Sequence, residues 1–449
     1  MSLIAPTRTL IVGGGGREHA LAWKLASEPG GNEVIVAPGS DAIAAEPRVR
    51  RLAGLDPLEP AAVVSAARQE SVELVVIGPE APLAAGVADA LRAAGFAVFG
   101  PSAAAARIES SKAFCHEIAD AAGVRMARAG AFHDGAMARA FAAELTAAGG
   151  GLVVKADGLA AGKGVTVCNT IDEADRAIDG LLDGSSASAG SLVILEERLR
   201  GPEASVIVLT DGRDLVALPP ARDHKRLLDG DEGPNTGGMG AYSPMPDLPD
   251  DETEMLVDAF HRPILAELAR RGTPFQGALY AGLMLTVDGP VLLECNARFG
   301  DPETQAILPR VAVALGPLLL AAARGDLRSA VAASHLTASR LPTLPGAAVA
   351  LVLAAAGYPE RPRTGDRIDG IDEAVASGAL VFHAGTTRDP DGTVRTAGGR
   401  VLSVVGRGVD LAAARNAAIA AADHITAPGL QRRHDIAQEP VASVAGVAG

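Results

Sequence analysis

Leu152 to Val167 reads LVVKADGLAAGKGVTV: an apolar run, a glycine-rich loop with two lysines, and a second β-branched run. This predicts a β-hairpin with a tip suited to an anion, because N–H groups in a side-chain-poor loop can close on phosphate oxygens while lysines supply charge. A P-loop needs four residues between its glycines and a hydroxyl after its lysine. Here Gly158 and Gly162 enclose three residues, and Gly164 follows Lys163. Val165-Thr166-Val167 also returns as a strand where a P-loop would enter a helix. On this stretch alone, a nucleoside triphosphate site and a plain glycine-rich hairpin tip both stay open.

Lysine usage sharpens the choice. Of 40 cationic residues only five are lysine: Lys24, Lys112, Lys155, Lys163 and Lys225. Where arginine has taken over the surface, each remaining lysine is a candidate for a task that wants a compact ammonium.

A length of 449 residues suits about three domains. The net charge of −14 argues against a nucleic-acid partner but leaves anionic small molecules open, since they respond to local charge. Cys115, Cys168 and Cys295 are widely spaced and odd in number, which fits a reducing cytoplasm and neither a disulfide framework nor a zinc site. Thr9–Val12 is too short for a secretory leader. Val311–Ala323, broken by Gly316-Pro317, is too short for a membrane span. A soluble cytoplasmic chain with no membrane partner is expected.

The flanks supply context. A strand at Arg8–Val12, a glycine turn at Gly13–Gly16, a helix at Arg17–Ser27 and a strand at Glu33–Val36 open a doubly wound parallel sheet. A dinucleotide fingerprint would need glycine or alanine where Glu18 stands, and an acidic residue where Pro38-Gly39 closes the second strand. The turn can still hold a single phosphate, helped by Arg17. Glu80 follows the strand Leu74–Ile77 and suits either a sugar diol or the first turn of the next helix. Phe96–Pro101 closes this first domain. Within the helical Ser102–Gly123, Lys112 is either a phosphate ligand or a solvated side chain.

A helix is expected at Gly135–Ala148 and a strand at Val193–Glu197. Arg222–Pro244 reads as one long functional loop. Leu279–Leu285 and Val291–Glu294 should pair about Asp288-Gly289. Glu294, with Asn296 on the same face two residues on, offers oxygen donors to a hard divalent cation; an ion pair between Glu294 and Arg298 is the other reading. Gln305–Ala333 reads as helical. Ala347–Ala356, Ala379–His383 and Arg400–Val405 precede a helix at Asp410–Ile425, a small α+β unit in which His383 could look catalytic but, as a lone histidine at a strand end, is expected to be structural. The tail from Pro440 is expected to be disordered.

Assembled, these residues resemble the ATP-grasp superfamily and, within it, the phosphoribosylamine–glycine ligases. The motifs are GGREHALAWK from Gly15, GPEAPL from Gly78, SKAF from Ser111, KADGLAAGKGV from Lys155, DHKR from Asp223, GPNTGGMGAYSP from Gly233, YAGLM from Tyr280 and ECNARFGDPETQ from Glu294. RTGD at Arg363 and FHAGT at Phe382 extend the resemblance into the last domain. It implies an N-terminal doubly wound parallel α/β domain (1–106), an ATP-grasp domain of two α+β subdomains (107–330) and a small C-terminal α+β domain (331–439), followed by the tail 440–449. A mobile subdomain, 122–196, would carry the glycine-rich loop.

The resemblance also implies roles. Lys112 and Lys155 match lysines on the ATP phosphates, with Gly158, Gly162, Lys163 and Gly164 above them. Glu196, Glu197 and Leu199 match the adenine edge, Glu203 the ribose carboxylate, and Glu294 with Asn296 the ligands of magnesium or manganese. Gly15, Gly16, Arg17, Gly39 and Glu80 would take 5-phosphoribosylamine. Lys225, Arg226, Asn235, Thr236, Gly237, Arg298 and Asp301 would take glycine and its acyl phosphate, with Arg298, Lys155 and Asp223 as the catalytic set. The implied reaction activates glycine as glycyl phosphate and transfers it to the sugar amine, in a monomer. Such chemistry needs positioning and charge neutralisation more than acid–base catalysis.

One departure stands out. Many superfamily members carry an acidic metal ligand where Leu283-Met284-Leu285 is apolar here, so a second metal ion would lean on phosphates and water. Other purine-synthesis ATP-grasp enzymes and biotin-carboxylase-like enzymes share the ATP residues but are not expected to share GPNTGGMGAYSP. From other classes, a NAD-dependent dehydrogenase is disfavoured by Glu18 and Pro38-Gly39, and a non-catalytic nucleotide-binding module by Glu294 and Asn296.

Overall fold

The computed structural model describes residues 4–147, 149–159, 164–182, 192–334 and 340–438. The expected phosphate-loop residues Gly162 and Lys163, and the tail from Pro440, lie outside them.

The N-terminal sheet is parallel throughout, with strands in the order Val49–Arg51, Glu33–Pro38, Arg8–Gly13, Leu74–Ile77, Ala97–Phe99. Leu10, Ile11, Val12, Val75 and Val76 are fully buried, as both-faces-covered parallel strands require. The strand order reverses between Arg8–Gly13 and Leu74–Ile77, so a crevice opens beyond Gly13 and Ile77. Glu18 fills its floor. Its carboxylate accepts the Gly15 N–H at 2.7 Å, and a Cβ at Gly78 would stand 2.1 Å from its Oε1. Gly78 is therefore glycine for want of space, and Glu18, the residue that breaks the dinucleotide fingerprint, is a buried cap of the helix Gly16–Ser27.

Two four-stranded antiparallel sheets follow. The first orders Ala129–Phe132, Val193–Glu197, Leu152–Ala156, Val165–Cys168 and carries helices Gly135–Ala147 and Ile171–Leu182. Its opening hairpin pairs Leu152 with Cys168 and Lys155 with Val165, as expected from sequence. The second orders Leu215–Ala217, Glu203–Thr210, Gly277–Thr286, Gly289–Asn296, and its last two strands turn at Val287-Asp288.

Two expectations need correction. Arg222–Pro244 is not one loop. Arg222–Asp223 and Gly240–Ser243 are strands, paired antiparallel with each other, and Arg226–Leu228 pairs with Glu232–Asn235 as a hairpin between them. Gly240–Ser243 then joins Ala347–Ala354, Arg400–Gly408 and Leu380–His383, so the C-terminal five-stranded sheet has two strands from this segment. Gly240 is excluded from bearing a side chain because a Cβ there would meet Ala350 O at 2.7 Å. Gln305–Ala333 is likewise broken, into Glu303–Ile307, Gly316–Arg324 and Leu327–Ala333, since Pro317 can only begin a helix and Gly325 ends one in a left-handed conformation.

Candidate active site

A cleft of about 960 Å³ lies between the two four-stranded sheets and reaches the crevice of the N-terminal sheet and the C-terminal sheet. Three of the five lysines, Lys112, Lys155 and Lys225, line it. Lys24 does not: its ammonium donates to Val311 O at 2.8 Å, a tie between domains.

On the hairpin side, Lys155 pairs with Glu196 at 2.6 Å, and His116 Nε2 lies 2.9 Å from the other Glu196 oxygen. Burial opposes the charge on Glu196, but Lys155 and His116 outweigh it and hold the carboxyl below its ordinary range. Lys112, at the first turn of the helix Lys112–Ala121, donates to Gly158 O at 2.9 Å. Burial and the nearby Lys155 both push its pKa down. Asp157 ties the hairpin to that helix by accepting from Ser111 Oγ at 3.1 Å and Ala113 N at 3.2 Å. Gly158, Gly164, Glu197 and Leu199 also line the cleft, and Glu197 accepts Arg128 N.

On the facing sheet stand Glu203, Glu294 and Asn296. Lys225 Nζ is 3.2 Å from Glu203 Oε2 and 3.3 Å from Glu294 Oε1, and Asn296 Nδ2 donates to that same Glu294 oxygen at 3.4 Å. Lys225 holds Glu294 down to about 2 against the effect of burial. Burial opposes the Lys225 charge, but Glu203, Glu294 and Asp223 outweigh it and raise its pKa. Asp223 is pushed well up by burial and by Glu303, Glu203 and Glu294, despite Lys225, and its buried Oδ1 has no hydrogen-bond partner. Among the described residues no three His, Cys, Asp or Glu side chains form a closed metal cage. Two protein oxygen donors beside a cleft suit an ion that draws its remaining ligands from phosphate and water, as Mg²⁺ does.

The third wall carries Arg298. Its Nη2 meets Glu109 at 3.0 Å, its Nη1 donates to Phe299 O at 3.2 Å, and its Nε lies 3.4 Å from Glu80. Burial works against the guanidinium charge, yet Glu109 and Glu80 lift its pKa further above the ordinary range. Asp301 is held by Arg400 at 2.9 Å and by Gln305 at 2.8 Å. Arg226, Asn235, Thr236 and Gly237 line the same end. Thr236 anchors Lys225, both its amide and its hydroxyl reaching Lys225 O at 2.8 Å.

Arg17 also lines the cleft, with Nε on Glu18 at 2.6 Å and Nη1 on Phe299 O at 3.1 Å. Gly15, Gly16 and Gly39 do not reach it. The Gly15 amide is taken by Glu18, Gly16 backs onto Gln305, and Gly39 N donates to Gly13 O at 3.1 Å.

Several lining residues escaped the reading of the sequence. His116 sits four residues after Lys112, on the same helix face, a spacing that could have found it. Glu303 lies within RFGDPETQ and receives Ser205 Oγ at 3.1 Å. Glu109 precedes SKAF by only two residues. Arg400 and Tyr358, whose hydroxyl accepts Gly237 N at 3.0 Å, come from the last domain and carry no local signal.

Known proteins resemble this chain over nearly its whole length. Family models of phosphoribosylglycinamide synthetase cover the chain in three parts: the N domain at residues 7–109, the ATP-grasp (A) domain at 110–304 and the C domain at 348–439. Phosphoribosylamine–glycine ligase of Streptomyces coelicolor is 48% identical over 433 residues, covering 96% of this chain and 98% of that one. That of Caulobacter vibrioides is 45% identical over 431 residues, covering 95% and 97%. The crystal structure of phosphoribosylamine–glycine ligase from Thermotoga maritima superposes with a TM-score of 0.78 at 32% identity, covering 96% of this chain and all of that one. The biotin carboxylase domain of Hydrogenobacter thermophilus 2-oxoglutarate carboxylase shares the fold, with a TM-score of 0.68 at 15% identity and coverage of 96% and 92%. The chain belongs to the phosphoribosylamine–glycine ligase family and is a ligase of the ATP-grasp fold.

Proposed function

We propose that the cleft between the two antiparallel sheets is where this ligase joins the carboxylate of glycine to the amine of 5-phosphoribosylamine. ATP drives the reaction, which yields glycinamide ribonucleotide, ADP and phosphate in purine synthesis. The carrying observation is that three scarce lysines and the Glu294–Asn296 pair converge on one cleft.

A glycine carboxylate oxygen attacks the γ-phosphorus, and the bond to the β-phosphate oxygen breaks to release ADP. The sugar amine then attacks the carbonyl carbon of glycyl phosphate, phosphate leaves, and the nitrogen sheds a proton. Lys112 and Lys155 neutralise phosphate charge, and the glycine-rich loop shields the acyl phosphate from water. Glu196, Glu197 and Leu199 face the adenine and Glu203 the ribose. Arg298 stands by the transferred phosphoryl group, held from behind by Glu109. Lys225, Arg226, Asp223, Asn235, Thr236, Gly237 and Asp301 receive glycine and its phosphate. Arg17 takes the sugar phosphate and Glu80 the diol; since the Gly15 amide is committed to Glu18, Arg17 carries more of that task.

Glu294 and Asn296 would hold the divalent cation, magnesium with manganese as a substitute, which neutralises charge on the triphosphate. The three free cysteines are buried, which supports a reducing cytoplasm, and we read the enzyme as a monomer. No helix among the described residues is long and apolar enough to cross a membrane. ADP release measured with glycine and phosphoribosylamine, singly and together, tests the reading. Release that needs neither substrate overturns it.

A further inference from the structure

The least expected contact in the cleft is that of Lys225. Its ammonium lies between Glu203 and Glu294, 3.2 and 3.3 Å away, with Asp223 two residues before it in the chain. Glu203 and Glu294 project from the two strands that flank Gly277–Thr286 in one sheet: Glu203 is opposite Met284 on that central strand, and Glu294 is opposite Gly282 on it from the other side. Lys225 comes from elsewhere, from the turn between Arg222–Asp223 and Arg226–Leu228. Its backbone is fixed by Thr236 and by the strand pairing on both sides. Only the side chain, with its flexible stem, is free to change partner.

We infer that Lys225 is a resident counter-cation. Its ammonium occupies the carboxylate cluster of Glu203 and Glu294 until a metal–nucleotide displaces it, and it then turns to the carboxylate of the incoming acid. This rests on assigning Glu294 and Asn296 to the divalent cation. Two carboxylates that share one ammonium repel each other unless a cation sits between them. An ammonium and a divalent ion cannot both lie against the same Glu294 oxygen without strong mutual repulsion. Exchange therefore keeps the cluster neutralised at each stage. It also links two binding events: a free acid meets an available Lys225 only after the metal–nucleotide has arrived. Without nucleotide, the ammonium should compete with a metal for Glu294.

The test reads metal binding rather than turnover. Mn²⁺ binding is followed by electron paramagnetic resonance without nucleotide and again with ADP. Wild-type protein should bind Mn²⁺ weakly alone and much more tightly with ADP. Lys225→Gln, which keeps length but removes charge, should bind Mn²⁺ alone about tenfold more tightly than wild type. Lys225→Arg, which keeps the charge, should stay weak. Lys225→Gln binding no tighter than wild type overturns the inference. Should that variant fail to fold, wild type still decides, since equally tight Mn²⁺ binding with and without ADP also overturns it. Glu294→Gln separates the two claims. If it retains wild-type Mn²⁺ binding with ADP, the cation site itself is misassigned; if it loses that binding while Lys225→Gln gains nothing, only the exchange fails.

Discussion

Two hairpins face the cleft, and they are built in opposite ways. The hairpin of Leu152–Ala156 and Val165–Cys168 belongs to a small sheet with a modest core of its own, around Leu152, Val154, Ile178 and Leu195. Its ties to the facing helix run through Asp157 and the Lys112–Gly158 bond. The hairpin of Arg226–Leu228 and Glu232–Asn235 is clamped from several sides. Arg433, only 2% exposed, reaches Asp231 at 2.5 Å, Asp435 at 2.6 Å and Arg226 O at 3.2 Å. His224 and Arg433 hold Asp231 down to about 2. Tyr358 and Arg400 grip Gly237 just beyond it. Both segments contain glycines and have a lysine in them or immediately before them, Lys155 in the first and Lys225 ahead of the second, so composition does not separate them. What separates them is what holds them: the first pairs within a small four-stranded sheet of its own, whereas the second is a two-stranded ribbon rooted between Arg222–Asp223 and Gly240–Ser243, strands of the sheet shared with the C-terminal region. On the proposed function, the first would supply charge and cover and the second geometry.

The largest effect should come from removing charge on either wall. Lys155→Gln and Glu294→Gln should each lower glycine-dependent ADP release by about 10³-fold or more with the far-UV spectrum retained. Next, Arg433→Met strips the clamp from the second hairpin and leaves the exposed Asp231 and the partly exposed Asp435 without their cation. Denaturant unfolding should show a loss of about 2 kcal/mol, and the KM for glycine should rise while ATP binding is spared. Loss of ATP binding instead would mean that the hairpins are not separately built. Arg17→Ala touches neither hairpin and should raise the KM for phosphoribosylamine about tenfold with little change in kcat, the pattern of lost uniform binding.

The effect furthest from turnover is a pH dependence of stability alone. Burial drives His383 down to about 3, assisted by His19 and Arg388, and drives His261 down to about 4. Both stay neutral in the fold over a range in which the unfolded chain binds protons. Stability should therefore fall as pH drops from about 6.5 toward 4, by up to about 1.4 kcal/mol per pH unit for each histidine. Thermal melting of His383→Gln should show a shallower slope across that window; an unchanged slope would remove His383 from the account.

What could be read in advance follows from how local each signal is. The parallel strands Arg8–Gly13 and Leu74–Ile77, the Leu152–Cys168 hairpin and the pair that turns at Val287-Asp288, one residue ahead of the expected Asp288-Gly289, are short-range patterns of apolar runs and turn residues. Gly240–Ser243 was not legible because its partner is Ala348–Leu351, more than a hundred residues on, and nothing in GAYS alternates. Val49–Arg51 was missed as well, a three-residue edge strand with two arginines. In the site, residue identities were readable from motifs, but their pairings were not. Nothing in DHKR announces that Lys225 reaches Glu203 and Glu294, or that Arg298 is backed by Glu109. Those contacts exist only once three sheets meet.

The sheet that unites Gly240–Ser243 with Ala347–Ala354 makes the last hundred residues joinery rather than appendage. A chain cut after Ala333 would leave Ala241 and Tyr242, both buried now, open to water, and would release the strand that carries Asp223. Grafting this end from a homologue would then succeed only when the register Gly240↔Leu351 is kept. A slip of one residue would turn Tyr242 to the opposite face and draw Lys225 away from the cleft.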